Sequence, residues 1–203
     1  MKPISLEQVR LAFEAKGYEF FENGDYNVNV FGIRSKDLHS NAFNDLICVA
    51  FKAAGQWVLL QFDATTDPGL THRLKPINEK GVGFLVEGQH RGAYIIEKHQ
   101  GKYSALCQRK ALPCYRDNDR DGLLEPNENQ IHVGWHGANI HRASEHRKSK
   151  QVDGWSAMCQ VIADPWEYDL FMSVCEVAAE KWGNSFTYTL LNERDIPAKK
   201  EEA

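Results

Sequence analysis

The chain has 203 residues, a formal net charge of −4 and a hydrophobic fraction of 42%. This length favours a single domain, and the mixing of acidic and basic residues along the chain argues against a cationic surface for nucleic acid. The five cysteines are odd in number and form no CxxC pair, which argues against a disulfide framework or a zinc ribbon. We therefore expect one domain over residues 1–203 that has no nucleic-acid partner.

The N-terminal segment has no long apolar core and no small-residue cleavage site. It therefore predicts synthesis in the cytoplasm without a signal peptide. No run of the sequence approaches about 20 apolar residues, so membrane insertion is not expected. If the protein acts outside the cytoplasm, another component must deliver it.

Residues 1–63 predict one helix followed by three strands. Ser5 and Gln8 match a capping box at the start of the helix, and Gly17 matches its end. Runs of β-branched and aromatic residues, separated by clusters of Gly, Asn and Asp, predict strands over 26–33, 46–51 and 56–62. Residues 53–56 predict a short hairpin turn between the last two strands.

Residues 64–192 continue the strand pattern and then return to a helix. Further strands are predicted over 82–86, 93–97, 104–108, 111–115 and 186–190, at intervals typical of a sandwich or barrel. Asp164 followed by Pro165 predicts the start of a helix that ends before Gly183. Residues 193–203 predict a charged tail. The fold class expected is mostly β (α+β), a β-sandwich or barrel with an N-terminal helix and a later helix.

An acidic loop follows the 111–115 strand and predicts a calcium site. It fits the pattern D-x-[DN]-x-[DN]-G-x5-E, with Gly122 at the sharp turn and Leu124 as the apolar anchor. Pro126 interrupts any exiting helix, so the loop is expected between strands, where structural Ca²⁺ would help to position a strand over residues 131–142. A solvated acidic turn is the alternative. The predicted ligands are Asp117, Asp119, Asp121, Leu123, Glu125 and Glu128.

A histidine and a cysteine near the end of the β-rich region predict thiol chemistry. His141 precedes Cys159 by eighteen positions, and both lie in short apolar runs that read as strand ends. A loop that folds back between them would place an imidazole beside a thiol, the minimal arrangement of a base and a nucleophile. His136 competes with His141 for the role of base.

At these residues the chain resembles the L,D-transpeptidase family, the cysteine enzymes of bacterial peptidoglycan. The family's signature is a histidine, a loop, and then Ser/Thr-His-Gly-Cys. Here Ser156 lies three positions before Cys159, while Ala157 and Met158 stand where the family has histidine and glycine. Residues 65–69 and 91–96 are similar to two further segments of that family. The layout is also similar to that of small cell-wall enzymes carried by phages.

The resemblance implies an L,D-transpeptidase-like fold, with residues 64–192 as the catalytic part and the second helix after the catalytic cysteine. It implies acyl transfer or hydrolysis on peptidoglycan stem peptides through a Cys159 thioester, without an organic cofactor. Ser156 would orient the loop or the imidazole. The residues expected to contact substrate are Arg142, Trp155 and Gln160.

Other interpretations remain open at this point. Cys159 could be a core residue, as most cysteines are, and Arg142 could form a surface ion pair. His132, His136, His141 and Cys159 could bind zinc. A calcium-stabilised structural or adaptor protein with a degenerate site, and a cysteine amidase or protease acting on other peptides, are the two alternative functions.

Overall fold

The computed structural model describes residues 1–39 and 41–198, which form a closed eight-stranded barrel, a separate three-stranded sheet and three α-helices. The helices are α1 (Leu6–Lys16), α2 (Leu70–Leu74) and α3 (Pro165–Trp182). The strands are β1 (Asn29–Arg34), β2 (Asp45–Ala53), β3 (Gln56–Thr65), β4 (Val82–Leu85), β5 (Gly88–His99), β6 (Tyr103–Gln108), β7 (Leu112–Asp117), β8 (His132–Gly134), β9 (Ile140–Arg142), β10 (Gln160–Ile162) and β11 (Phe186–Asn192).

The barrel closes in the order β1-β11-β5-β6-β9-β10-β3-β2. Most neighbours are antiparallel, but β1 pairs in parallel with β11, and β9 pairs in parallel with β10. The first parallel pair brings the two ends of the chain together. The second places residues 140–142 beside residues 160–162, and it therefore brings the segments that carry His141 and Cys159 together.

Strands β1 and β2 are buried on both faces because α1 covers the outside of the barrel. Residues facing inward, such as Val30 and Val49, belong to the main core, which also contains the buried side chains of α3. Residues facing outward, such as Phe31 and Cys48, pack with Val9 and Phe13 of α1. This alternation follows from the two-residue period of a strand.

The two long helices begin and end as the sequence predicts. Ser5 and Gln8 form the capping box of α1, and Gly17 ends it in the left-handed conformation with φ of 68°. The Asp164 carboxylate accepts a hydrogen bond from the backbone N–H of Trp166 at the start of α3, whose C-cap is Gly183. Because α3 directs its apolar side chains into the main core, it supports the strands that carry the candidate site.

The predicted fold class is confirmed at the level of a mostly β protein, with 36% of the residues in strands and 19% in helices. The hairpin turn is also confirmed, since Ala54 and Gly55 both have positive φ between β2 and β3. The single strand expected over 131–142 is wrong: it divides into β8 and β9, with Gly137 at φ of 67° between them. Of the predicted tail, 193–195 form a 3-10 turn, and 199–203 lie outside the described residues.

Candidate active site

His141 lies on β9 and is held by the carbonyl of the next residue. Its Nδ1 lies 2.7 Å from the backbone oxygen of Arg142 and 3.3 Å from the Tyr103 hydroxyl. A carbonyl oxygen only accepts hydrogen bonds, so in the neutral ring Nδ1 carries the proton and Nε2 carries the lone pair. The fold therefore fixes His141 as the tautomer that acts as a base through Nε2.

Cys159 lies immediately before β10, next to the strand that carries His141. The parallel register pairs Val161 with His141, and the backbone N–H of Gln160 donates to the carbonyl of Asn139. Cys159 is partly exposed, and its Sγ–H donates to the Gly137 carbonyl at 3.2 Å. It differs in this from the other four cysteines, which are buried.

The side chains of Cys159 and His141 line one groove of about 660 Å³. A second recess of about 470 Å³ is also lined by Cys159, together with His136. Both spaces are lined by His99, Ile77 and Cys159, so we treat them together as the Cys159 groove. No hydrogen bond between the His141 ring and the Cys159 sulfur occurs among the described residues.

The thiol and the imidazole are both neutral at rest. Burial raises the pKa of Cys159 to about 11, although the nearby backbone N–H of Asn139 opposes the rise. Burial, assisted by the neighbouring His99, lowers the pKa of His141 to about 4. The residue is partly exposed, yet atoms packed around the sulfur keep water from stabilising a thiolate. The pair is therefore not a resting thiolate–imidazolium ion pair at neutral pH.

Ser156 fixes the turn that presents Cys159. Its fully buried hydroxyl donates to the Cys159 carbonyl at 2.7 Å, and its own carbonyl accepts from the backbone N–H of Gly69. Met158 is buried in the main core, and it is not among the described residues with positive φ. Because this turn needs no left-handed residue at 158, it accommodates methionine without backbone strain.

The residues predicted to contact substrate divide into two groups. Trp155, which is 44% exposed, and Arg142 both line the groove. Arg142 lies 3.3 Å from the Glu145 carboxylate and stacks over the Tyr103 ring at 4.2 Å. Gln160 does not fit its predicted role, because it is fully buried and accepts a hydrogen bond from the Tyr188 hydroxyl inside the barrel. We do not include Gln160 in the proposed site.

His136 lines the 470 Å³ recess, whereas His141 lines the 660 Å³ groove. The Nε2 of His136 lies 3.0 Å from the Leu112 carbonyl, and its backbone N–H donates to Gln108. The ring thus uses Nε2 as a donor to the backbone, and burial lowers its pKa. A backbone carbonyl holds one nitrogen of each ring, but a further hydrogen bond to the backbone of His132 also engages the His136 ring, which favours His141 as the base.

Three groove residues were missed by the sequence interpretation. His99 ends β5, Tyr103 begins β6, and Asn139 precedes β9. His99 stacks on His141, Tyr103 hydrogen-bonds to it, and Asn139 hydrogen-bonds to His99. His99 and Tyr103 lie far before His141 in sequence, and Asn139, although close to His141, belongs to no recognised motif, so no local pattern identified them. Only the pairing order β5-β6-β9-β10 brings them together.

The acidic loop connects β7 with β8 and is ordered by its own carboxylates. Asp117 accepts backbone hydrogen bonds from Asp119 and Glu125, and Asp119 and Asp121 each accept one from two residues further on. Gly122 has φ of 89°, and Leu124 packs into the small sheet's core, as the motif predicts. The exposed Glu125 and Glu128 lie in the same loop.

No cluster of three or more His, Cys, Asp or Glu side chains suited to a metal ion is present over residues 1–39 and 41–198. The calcium site therefore stays a prediction from the sequence motif. None of the helices in those residues combines the length and the apolar character needed to cross a membrane.

Comparisons of the chain with protein-family models, with curated proteins and with solved structures found no match.

Proposed function

We propose that this protein is a cysteine-dependent acyltransferase or hydrolase of peptidoglycan stem peptides, with Cys159 as nucleophile and His141 as base. One observation carries the proposal. The Arg142 carbonyl holds the Nδ1 proton of His141, so that Nε2 is the basic nitrogen of a ring lining the same groove as Cys159. A nucleophile, a base and a group that orients the base are the parts that covalent acyl transfer requires.

The resting protonation states decide how the thiol is activated. The pKa of Cys159 is about 11 and that of His141 about 4, so a preformed ion pair would cost about 10 kcal/mol before the attraction between the charges is counted. We infer that the proton moves from Sγ to Nε2 as the C–S bond forms. This is general-base catalysis rather than attack by a resting thiolate.

The reaction then follows two half-reactions. Sulfur attacks an amide carbonyl, and backbone N–H groups beside Cys159 stabilise the oxyanion; each such donor is typically worth ~2.7–4 kcal/mol. The C–N bond breaks as His141 returns its proton to the leaving amine, which leaves a thioester on Cys159. Another stem's amine then forms a cross-link, or water releases the acid, and Cys159 is regenerated.

The groove's charge supports a substrate that carries carboxylates, as stem peptides do. Lys102, Arg116 and Arg142 line it, whereas Glu145 is its one acidic lining residue among those the structure describes and already pairs with Arg142. Exposed Trp135 and Trp155 add apolar surface on either side of Cys159. By the resemblance, the scissile bond joins an L-centre, such as that of diaminopimelate, to a D-amino acid.

Digestion of purified sacculi tests this function. Wild-type protein and Cys159→Ala are incubated with sacculi, and the released muropeptides are compared by mass spectrometry. Cys107→Ala is the matched control, because Cys107 is a buried cysteine of the neighbouring β6 that does not line the groove. We expect altered stem peptides with wild type and Cys107→Ala but not with Cys159→Ala. Identical profiles from wild type and Cys159→Ala would overturn the proposal.

A second candidate function is a non-enzymatic structural or adaptor role on a calcium-stabilised scaffold. The neutral thiol and its hydrogen bond to the Gly137 carbonyl favour it, because they stabilise the unreactive form of Cys159. Unchanged sacculi would support this candidate. Cleavage of ordinary L,L-peptides with unchanged sacculi would instead indicate a cysteine amidase or protease.

A further inference from the structure

A second imidazole lies directly against the proposed base. The ring of His99 stacks on that of His141, with centroids 4.2 Å apart and planes 20° from parallel. His99 is 8% exposed and lines both parts of the Cys159 groove. Neither the motif around Cys159 nor the mechanism described above assigns it a role.

Asn139 fixes which nitrogen of His99 carries the proton. The Oδ1 of Asn139 accepts the backbone N–H of Gln108 at 2.9 Å, which identifies Nδ2 as the donor facing His99. Nδ2 lies 3.0 Å from Nδ1 of His99, and that nitrogen must therefore accept. A neutral His99 consequently carries its proton on Nε2. The two stacked rings are thus held as opposite tautomers, His99 by a side-chain amide and His141 by a backbone carbonyl.

The surroundings of the stacked rings disfavour positive charge on both. Burial and then Lys102 lower the pKa of His99; burial and then His99 lower that of His141, although its hydrogen bond to the Arg142 carbonyl opposes the change. The Glu145 carboxylate is already paired with Arg142. The titratable and charged side chains that line the groove around the pair are His72, Lys102, Tyr103, Arg116, His136, Arg142, Glu145 and Cys159, and Tyr168 packs against Tyr103.

We propose that His99, anchored by Asn139, is a positioning residue for His141: it holds the plane of that ring and opposes a positive charge on it. The proposal rests on the proposed function of His141 as the base. Stacking at 4.2 Å restricts rotation of the His141 ring about its side-chain bonds. Nε2 is thereby kept in one direction while Nδ1 stays on the Arg142 carbonyl.

The effect of His99 on the pKa of His141 determines the pH range in which His141 can act as a base. His141 acts as a base only when it is unprotonated, that is, above its pKa. Since His99 lowers that pKa, it extends the range of the base toward acid. As the pH falls, protonation of His99 opposes protonation of His141. Replacing His99 with an uncharged ring should therefore raise the pKa of His141, while burial, the larger cause, still holds it below its ordinary value.

Two substitutions separate the two effects of His99. His99→Phe keeps a flat ring for stacking but cannot be protonated. His99→Ala removes both the ring and the group that can be protonated. Histidine titrations by NMR on ¹⁵N-labelled protein, with His141→Gln used to assign the signal, report the His141 pKa and tautomer without any activity. His39→Phe is the control, because the His39 side chain is 71% exposed and lies outside the groove.

We expect His99→Phe to raise the His141 pKa and His39→Phe to leave it unchanged. Where turnover is measured, His99→Phe should lose activity at pH 5 relative to pH 8, and His99→Ala should lower kcat about tenfold at pH 8 with little change in KM. A His141 titration in His99→Phe that superimposes on that of the wild type would overturn the proposal.

The NMR result also separates this proposal from the proposed function. If wild-type protein leaves sacculi unchanged while His99→Phe shifts the His141 titration, the enzyme function fails and the coupling of the two rings stands. If sacculi are altered and the titration does not move, the function stands and the role of His99 is wrong.

Discussion

The reactivity of Cys159 depends on how readily it loses its proton. Its pKa is raised to about 11 by burial, and His141 is too weak a base at rest to remove the proton. We predict slow alkylation by iodoacetamide at pH 7, slower than that of a free cysteine with a pKa of about 8.5, and a rate that rises about tenfold per pH unit between pH 8 and 10.

Peptide mapping by mass spectrometry would assign the alkylated residue, and Cys159→Ala would remove its signal. A rate that levels off below pH 8 would contradict the neutral resting pair. It would show instead that Cys159 exists as a thiolate at neutral pH.

Sequence spacing singled out Cys159 and His141 as candidates, because a nucleophile and a base have characteristic residue types. It could not give their protonation, since burial and stacking on His99 depend on residues from β5. It also assigned Gln160 to substrate, because a polar residue next to a nucleophile looks accessible. Alternation along β10 turns that side chain into the barrel instead.

At the scale of single elements, the acidic loop between β7 and β8 is predicted to bind calcium. Burial raises the pKa of Asp117, so its ionised form at neutral pH disfavours the folded state unless a cation compensates. We predict that millimolar Ca²⁺ raises the melting temperature of wild type, as ligand binding to the native state requires. Asp119→Ala should remove the rise, because Asp119 occupies position three of the motif.

Asp37→Ala is the control for the loop, since Asp37 is an exposed aspartate outside the loop. A chelator should lower the melting temperature of wild type and of this control but not of Asp119→Ala. Equal shifts in all three proteins would contradict calcium binding at the loop.

Elements with strong end signals were predictable from local chemistry. The capping box at Ser5, the Asp164 N-cap and the Ala54–Gly55 turn each satisfy backbone groups within a few residues. The division of residues 131–142 into β8 and β9 was not predictable in this way. Those strands belong to different sheets, and Gly137 provides the bend between them.

At the scale of the whole molecule, the barrel order explains why the groove exists. β5, β6, β9 and β10 are consecutive in the barrel, although the segments they join span residues 88–162. His99, Tyr103 and Cys159 each lie at an end of one of these strands or next to it, and His141 lies within the three-residue β9. The sequence predicted the strands from their composition, but closure of the barrel depends on long-range pairings such as β1 with β11, which leave no local pattern.

The most direct test of the account is whether Cys159 forms a thioester. Wild-type protein is mixed with a stem peptide in which diaminopimelate precedes D-alanine, and its intact mass is followed with time. We predict an adduct equal to the peptide less the D-alanine leaving group, mapped to Cys159 and released by hydroxylamine. His141→Gln should form it about 10²–10⁴-fold more slowly, as expected for the loss of a general base. An unchanged wild-type mass, or the same adduct on Cys159→Ala, would contradict the account.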